Sequence, residues 1–258
     1  MSRSRIIPAK SLAGGLARAR RAWNVTACAV GAMLTLTAGF YLYLAFVSYV
    51  VEKTGSAFRT GAESPLFQMV LDVSGIFDLC LAVLQFLTIL FFLRWIWLSV
   101  TLARAIRRDS VRYTPWVAVL GFFVPIANLW MTTSTLRDIE EFSAGQEERV
   151  PPAFPWYPAG MVLCGVLVLG LWRIVSAAPL DGFADPAASQ RLMQVAAFGA
   201  VAHLVLLMLT HGFMRLVSPG QELALRELAE AEGPVSKASA EEGAEAPRSG
   251  DDFPQANA

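Results

Sequence analysis

The sequence predicts an all-α fold, a polytopic helical membrane bundle, and three observations carry that prediction. Charged residues make up only 16 % of the 258 residues, against about 25 % in a typical soluble domain. Mean hydropathy is +0.49, so much of the surface must face lipid rather than water. The apolar residues also gather into five hydrophobic segments, several of them longer than the roughly 20 residues a helix needs to cross a bilayer core.

The first segment is the uncharged run of 30 residues from Ala22 to Val51. A signal peptide carries an apolar stretch of only about 7 to 15 residues, so this run reads as a spanning helix, with Tyr41, Tyr43 and Tyr49 suited to a wet membrane edge. The second runs from about Gly75 to Val100, with Asp78 near one end and Arg94, Trp95 and Trp97 near the other, where the guanidinium can snorkel. The third holds 24 uncharged residues from Tyr113 to Leu136, with Pro125 and Asn128 close to its middle. Proline removes a helix hydrogen bond and frees a carbonyl, which makes this segment either a kinked span or a re-entrant hairpin.

An acidic linker follows, and Pro158 is well placed to open a fourth helix that Pro179 ends. The fifth run is Leu192 to Met214, joined to the fourth by a short turn, so the two should pack as an antiparallel hairpin. The chain thereby divides into a basic cytoplasmic N-terminus over 1–22, a helical membrane domain over 23–218 and an acidic, mostly disordered C-terminal tail over 219–258. Residues 221–233 can make two or three helical turns at the interface, but from Glu222 onward nine acidic residues face three basic ones, a composition too polar to form a packed core.

Basic residues collect on the cytoplasmic side of membrane proteins. Arg3, Arg5, Lys10, Arg18, Arg20 and Arg21 precede the first segment with no acid among them, and Arg104, Arg107, Arg108 and Arg112 follow the second. The N-terminus is therefore expected inside a bacterial inner membrane, with membrane lipids as the first partners and other membrane proteins or a second copy of the chain as further ones. No nucleic-acid partner is expected, because 21 basic residues balance 21 acidic ones. Cys28, Cys80 and Cys164 lie singly inside apolar runs, as small buried thiols rather than a disulfide framework or zinc site. The sequence has no phosphate-binding glycine loop, HExxH or nucleophile elbow, and neither a cofactor nor an enzymatic activity is expected.

From Phe91 to Gly145 the sequence resembles the DUF4328 family, uncharacterised bacterial integral membrane proteins. Pro115 and Trp116 match a Pro-Trp opening, and Phe123, Pro125, Asn128, Leu129 and Trp130 match a signature close to W-F-x-P-x-x-N-L-W-x-P. The final proline of that signature is absent, since Met131 and Thr132 follow Trp130. The resemblance implies membrane location and apolar helices without an activity.

Polar groups inside lipid are costly and so are candidates for function. Asp78, Asn128 and His203 form the candidate intramembrane polar site. His203 and His211 lie eight residues apart, about 80° in azimuth and about 12 Å along one helix, too far to share a metal. The expected function is a structural or accessory role in a membrane assembly. The alternative is a small transporter or channel-like protein in which Asp78, Asn128 and His203 face a polar cavity.

Overall fold

Inside a bilayer no water satisfies backbone N–H and C=O groups, so apolar runs of this length are driven to make their hydrogen bonds internally, as helices. The computed structural model describes residues 8–54, 65–124, 128–151, 155–177 and 186–244, with the side chains at 47–48, 51–54, 65–75, 128, 186–189 and 233–244 outside that description. The described residues form α1 (Ala9–Thr54), α2 (Pro65–Ile106), α3 (Pro115–Leu120), a π-helical turn (Asn128–Thr132), α4 (Thr133–Gln146), α5 (Trp156–Ser176) and α6 (Pro186–Ala244). Among them, α1, α2, α5 and α6 are long and apolar enough to cross a membrane. The fold is an all-α bundle built on those four helices.

α1 begins at Ala9, well before the apolar run at Ala22. Ala9, Leu12, Leu16, Ala19, Trp23 and Ala27 recur every three or four residues and are all buried, so one face of the basic N-terminal stretch packs as a helix while Arg18 and Arg21 stay on the other. Its first turn meets a carboxylate from the far end of the chain. The Ala9 N–H donates to both oxygens of Glu232, at 3.0 and 3.1 Å, placing negative charge on the positive end of a helix. The N-terminal end of α1 and the C-terminal stretch of α6 therefore share one end of the bundle, called the rim below.

The third hydrophobic segment does not form one long helix. Pro115 opens the six-residue α3, which stops at Gly121, and the chain resumes in the π-helical turn and α4. Its two flanks touch: the Arg112 N–H donates to Asp138 Oδ2 at 2.9 Å, and Arg112 Nε lies 3.4 Å from Asp138 Oδ1. A segment whose flanks are bonded leaves and returns on the same side, here the rim. Pro125, expected to break this segment, lies outside the described residues.

α4 closes with a left-handed residue, Glu148, at φ 53°. The Arg149 N–H donates to the Ala144 carbonyl at 2.8 Å and the Glu148 N–H to the Gly145 carbonyl at 3.3 Å, the paired bonds of a Schellman cap. α6 runs unbroken past the boundary expected at Pro219. Proline there cannot donate to the Arg215 carbonyl, yet tertiary packing holds the helix on both sides. Gly220 lies so close to α4 that an added Cβ would sit 2.2 Å from the Ser143 carbonyl oxygen. Within 219–258, expected from sequence to be mostly disordered after a few interfacial helical turns, α6 continues to Ala244, and 245–258 lies outside the described residues.

α6 is the hub, packing on α1, α5 and α4, while α2 packs on α1. The fourth and fifth segments do pair, with Gly199 of α6 against Leu171 and Trp172 of α5. Toward the end away from the rim the helices meet through Val30, Leu34, Ala38, Leu81 and Ala200. The expectation of buried thiols is corrected: Cys28 and Cys80 are exposed on the bundle surface and Cys164 is half-buried. An outward face between spanning helices is apolar lipid, so burial inside protein is not needed to shelter a thiol there.

Candidate functional site

The three polar residues singled out within the hydrophobic segments occupy separate settings. His203 on α6 is half-buried, and its Nδ1 lies 3.5 Å from Gln85 Nε2 on α2, a contact between helices that satisfies polar groups inside the bundle. Asp78 sits two turns before Gln85 on α2 but is exposed, within electrostatic reach of Tyr41 on α1. Among the described residues no hydrogen bond or ion pair joins Asp78 to His203. Asn128 opens the π-helical turn, whose neighbours are α4 and α5, and its side chain lies outside the description.

A different polar constellation lies at the rim. Between α1 and α6 a cleft of about 460 Å³ is lined by Arg20, Asn24, His211, Met214, Arg215, Ser218, Pro219 and Glu222. Arg20 and Asn24 are one turn apart on α1, and His211, Arg215, Ser218 and Glu222 recur at three- or four-residue spacing on α6, so each helix offers one polar stripe. Arg20 donates to Ser218 Oγ and lies 3.9 Å from a Glu222 oxygen. His211 Nδ1 is 3.2 Å from Asn24 Oδ1, and its ring stacks on Trp23 with centroids 6.2 Å apart. Arg215 is exposed and makes no ion pair among the described residues. Beneath the cleft, buried Gln221 donates to Ser99 Oγ of α2 at 3.0 Å, which fixes the rotation of α6 at this level.

Behind this rim α4 buries acids. Burial pushes the Asp138 carboxyl up from its ordinary range, opposed by the Arg112 N–H and guanidinium. Burial likewise raises Glu140, opposed chiefly by Arg149. Asp138 ties the two flanks of the returning segment to each other, and neither acid lines the cleft.

A family profile described as Domain of unknown function (DUF4328) matches residues 67–218. The chain belongs to that family. The DUF4328 match extends well beyond the Phe91 to Gly145 stretch on which the resemblance rests, and takes in α2, the returning segment, α5 and α6 as far as Ser218. It includes His211, Met214, Arg215 and Ser218 of the cleft, whereas Arg20 and Asn24 precede it. No curated protein and no solved structure matched the chain.

Sequence reasoning missed the cleft because its residues come from both ends of the chain. The available signal was the stripe on α6, His211, Arg215, Ser218 and Glu222, of which only His211 was weighed, together with His203 as a metal ligand. Its counterpart on α1 was hidden among arginines that serve equally as orientation signals.

Proposed function

We propose that this DUF4328 protein is a multi-pass component of a bacterial inner membrane with a structural or accessory role in a membrane assembly. Its N-terminus is cytoplasmic, and its third hydrophobic segment is a re-entrant hairpin dipping into the inner leaflet. The observation that carries this reading is how the membrane interior is filled. Val30, Leu34, Ala38, Leu81 and Ala200 pack between the helices away from the rim, His203 is tied to Gln85, and Thr37, Thr88 and Thr210 each donate to a carbonyl one turn back in their own helix. Such an interior suits a scaffold better than a solute path.

The re-entrant reading draws support from exposed aromatic and aliphatic side chains on the returning segment, Trp116, Leu120, Phe123, Leu129 and Trp130, which water would penalise and lipid accepts. The orientation draws support from the arginines at the rim, Arg18, Arg20, Arg21, Arg107, Arg108 and Arg112. The test is the purified chain sealed into liposomes with ion- and proton-sensitive dyes, alongside native electrophoresis of membranes solubilised in mild detergent. Leak no faster than in protein-free vesicles is expected, together with migration as an assembly larger than the 28.0 kDa chain. Flux abolished by His203→Leu would overturn the proposal in favour of transport.

A further inference from the structure

We infer that the cleft between α1 and α6 is a binding site for the phosphate of an anionic phospholipid headgroup. Two guanidiniums, Arg20 and Arg215, face one carboxylate, Glu222, across a cavity of about 460 Å³, so the lining keeps a positive excess. Arg20 is already positioned by Ser218. Arg215 makes no ion pair among the described residues and is exposed, leaving its planar donor set for phosphate oxygens, the ligand geometry guanidinium fits best. The His211 Nδ1 contact with Asn24 Oδ1 leaves the Asn24 amide NH2 and His211 Nε2 for other headgroup atoms.

Depth selects a lipid as the source of that phosphate. The uncharged run of α1 begins at Ala22 and that of α6 ends at Met214, so the cleft straddles the level where acyl chains give way to headgroups. At the cleft's inner edge and up to one turn deeper, Val25 and Cys28 on α1 and Met208 on α6 are exposed, weakly polar or apolar side chains along which an acyl chain can lie. A free phosphate would use the guanidiniums and leave that strip unused. Glu222 is the one unfavourable group; its side chain is 61 % exposed, and it partly neutralises Arg20.

The experiment is native mass spectrometry of the full chain in neutral detergent, titrated with phosphatidylglycerol and, in parallel, with phosphatidylcholine and with inorganic phosphate. One phosphatidylglycerol should bind ahead of the rest, preferred over phosphatidylcholine, and inorganic phosphate at matched concentration should not displace it. Arg215→Gln, which breaks no hydrogen bond or ion pair found among the described residues, should weaken that first association about tenfold, while Arg108→Gln, exposed and outside the cleft, should change it less than about twofold. Glu222→Gln should tighten it. Equal losses for Arg215→Gln and Arg108→Gln would overturn the site, as would weaker binding in Glu222→Gln. Displacement by inorganic phosphate alone would overturn the lipid as ligand and leave a free-anion site. The cleft lies apart from Asp78, Asn128 and His203, so this result and the flux result stand or fall separately.

Discussion

The two ends of the bundle are held together by different physics. At the rim, Trp95, Phe213, Leu102, Ile139 and Val217 are nearly or fully buried in one apolar cluster shared by α1, α2, α4 and α6. Polar bonds between distant segments surround it: Arg112 to Asp138, Gln221 to Ser99, Arg20 to Ser218 and Ala9 to Glu232. At the opposite end five small or medium side chains form the buried cluster, and large residues such as Leu36, Phe46, Ile76, Leu79 and Phe198 point outward. The rim resembles a water-soluble core, with a dense interior and satisfied polar edges. The other half has little core because lipid is as apolar as leucine and supplies no hydrophobic drive between helices. Substitutions should therefore cost more at the rim than at equal depth in the membrane half.

The largest effect is expected at Gly220. A Cβ there would meet the Ser143 carbonyl at 2.2 Å and its carbonyl carbon at 2.7 Å, and backbone cannot rotate aside as a side chain can. Gly220→Ala should lower stability by about 3 kcal/mol, the upper range for overpacking, and loosen α4 from α6. Thermal unfolding in detergent, with protease sensitivity of α4 as the local readout, measures it. An unchanged melting temperature would show that α4 is a loose flap and that the contrast between the two ends is overstated.

Next comes the tie across the returning segment. Asp138→Ala strips the acceptor from the Arg112 N–H and should cost about 2 kcal/mol, as for other hydrogen bonds to charged groups. Glu140 sharpens the same region through pH. Burial raises its folded-state pKa above the ordinary 4.5, so the folded protein holds that proton more tightly than the unfolded chain does. Its contribution to stability is fully present below pH 4.5 and is lost as pH rises through the raised value. Glu140→Gln should thus be more stable than the parent at neutral pH, with the advantage vanishing on acidification, as followed by denaturation across a pH series. A parent that gains stability as pH rises through this range would reverse the sign and point to Arg149 as the dominant neighbour.

A smaller gain is expected at the Schellman cap. Glu148 holds a left-handed conformation that costs a residue with a Cβ about 1 kcal/mol relative to glycine. Glu148→Gly should raise stability by about that amount at the rim, read as an upward shift in melting temperature.

Helix type and the four long spans were legible because uncharged runs of this length admit few alternatives. Their ends were not. α1 begins at Ala9 because Leu12, Leu16 and Ala19 continue the spacing of Trp23 and Ala27, a pattern overshadowed by six basic residues that read as an orientation signal. The C-terminal stretch of α6 was legible only as two or three interfacial turns: Val217, Ala224 and Leu228 are buried at heptad-like spacing, but the charges among them suggested solvent beyond. Each stretch alone lacks enough apolar surface to fold, and only their pairing supplies it. The third segment stayed open between two topologies because its length permits a span, while the Arg112 to Asp138 bond that returns it depends on distance in space. His203 was readable as a polar group inside an apolar run, and the rim cleft was not, since its two stripes come from opposite ends of the chain.

The smallest effect, and the one that tests the membrane half directly, concerns Gln85 and His203. Their contact is at the long limit for a hydrogen bond, 3.5 Å, and His203 is only half-buried. Polar pairs between membrane helices average about 0.6 kcal/mol, because either partner finds substitutes when the other is lost. Gln85→Leu and His203→Leu should each change stability little, and a double-mutant cycle should give a coupling of about 0.6 kcal/mol. Thermal unfolding of the four variants in one detergent measures it. A coupling above about 2 kcal/mol would mean that the membrane half also relies on a specific polar tie. The division into a packed rim and a lipid-held remainder would then fail.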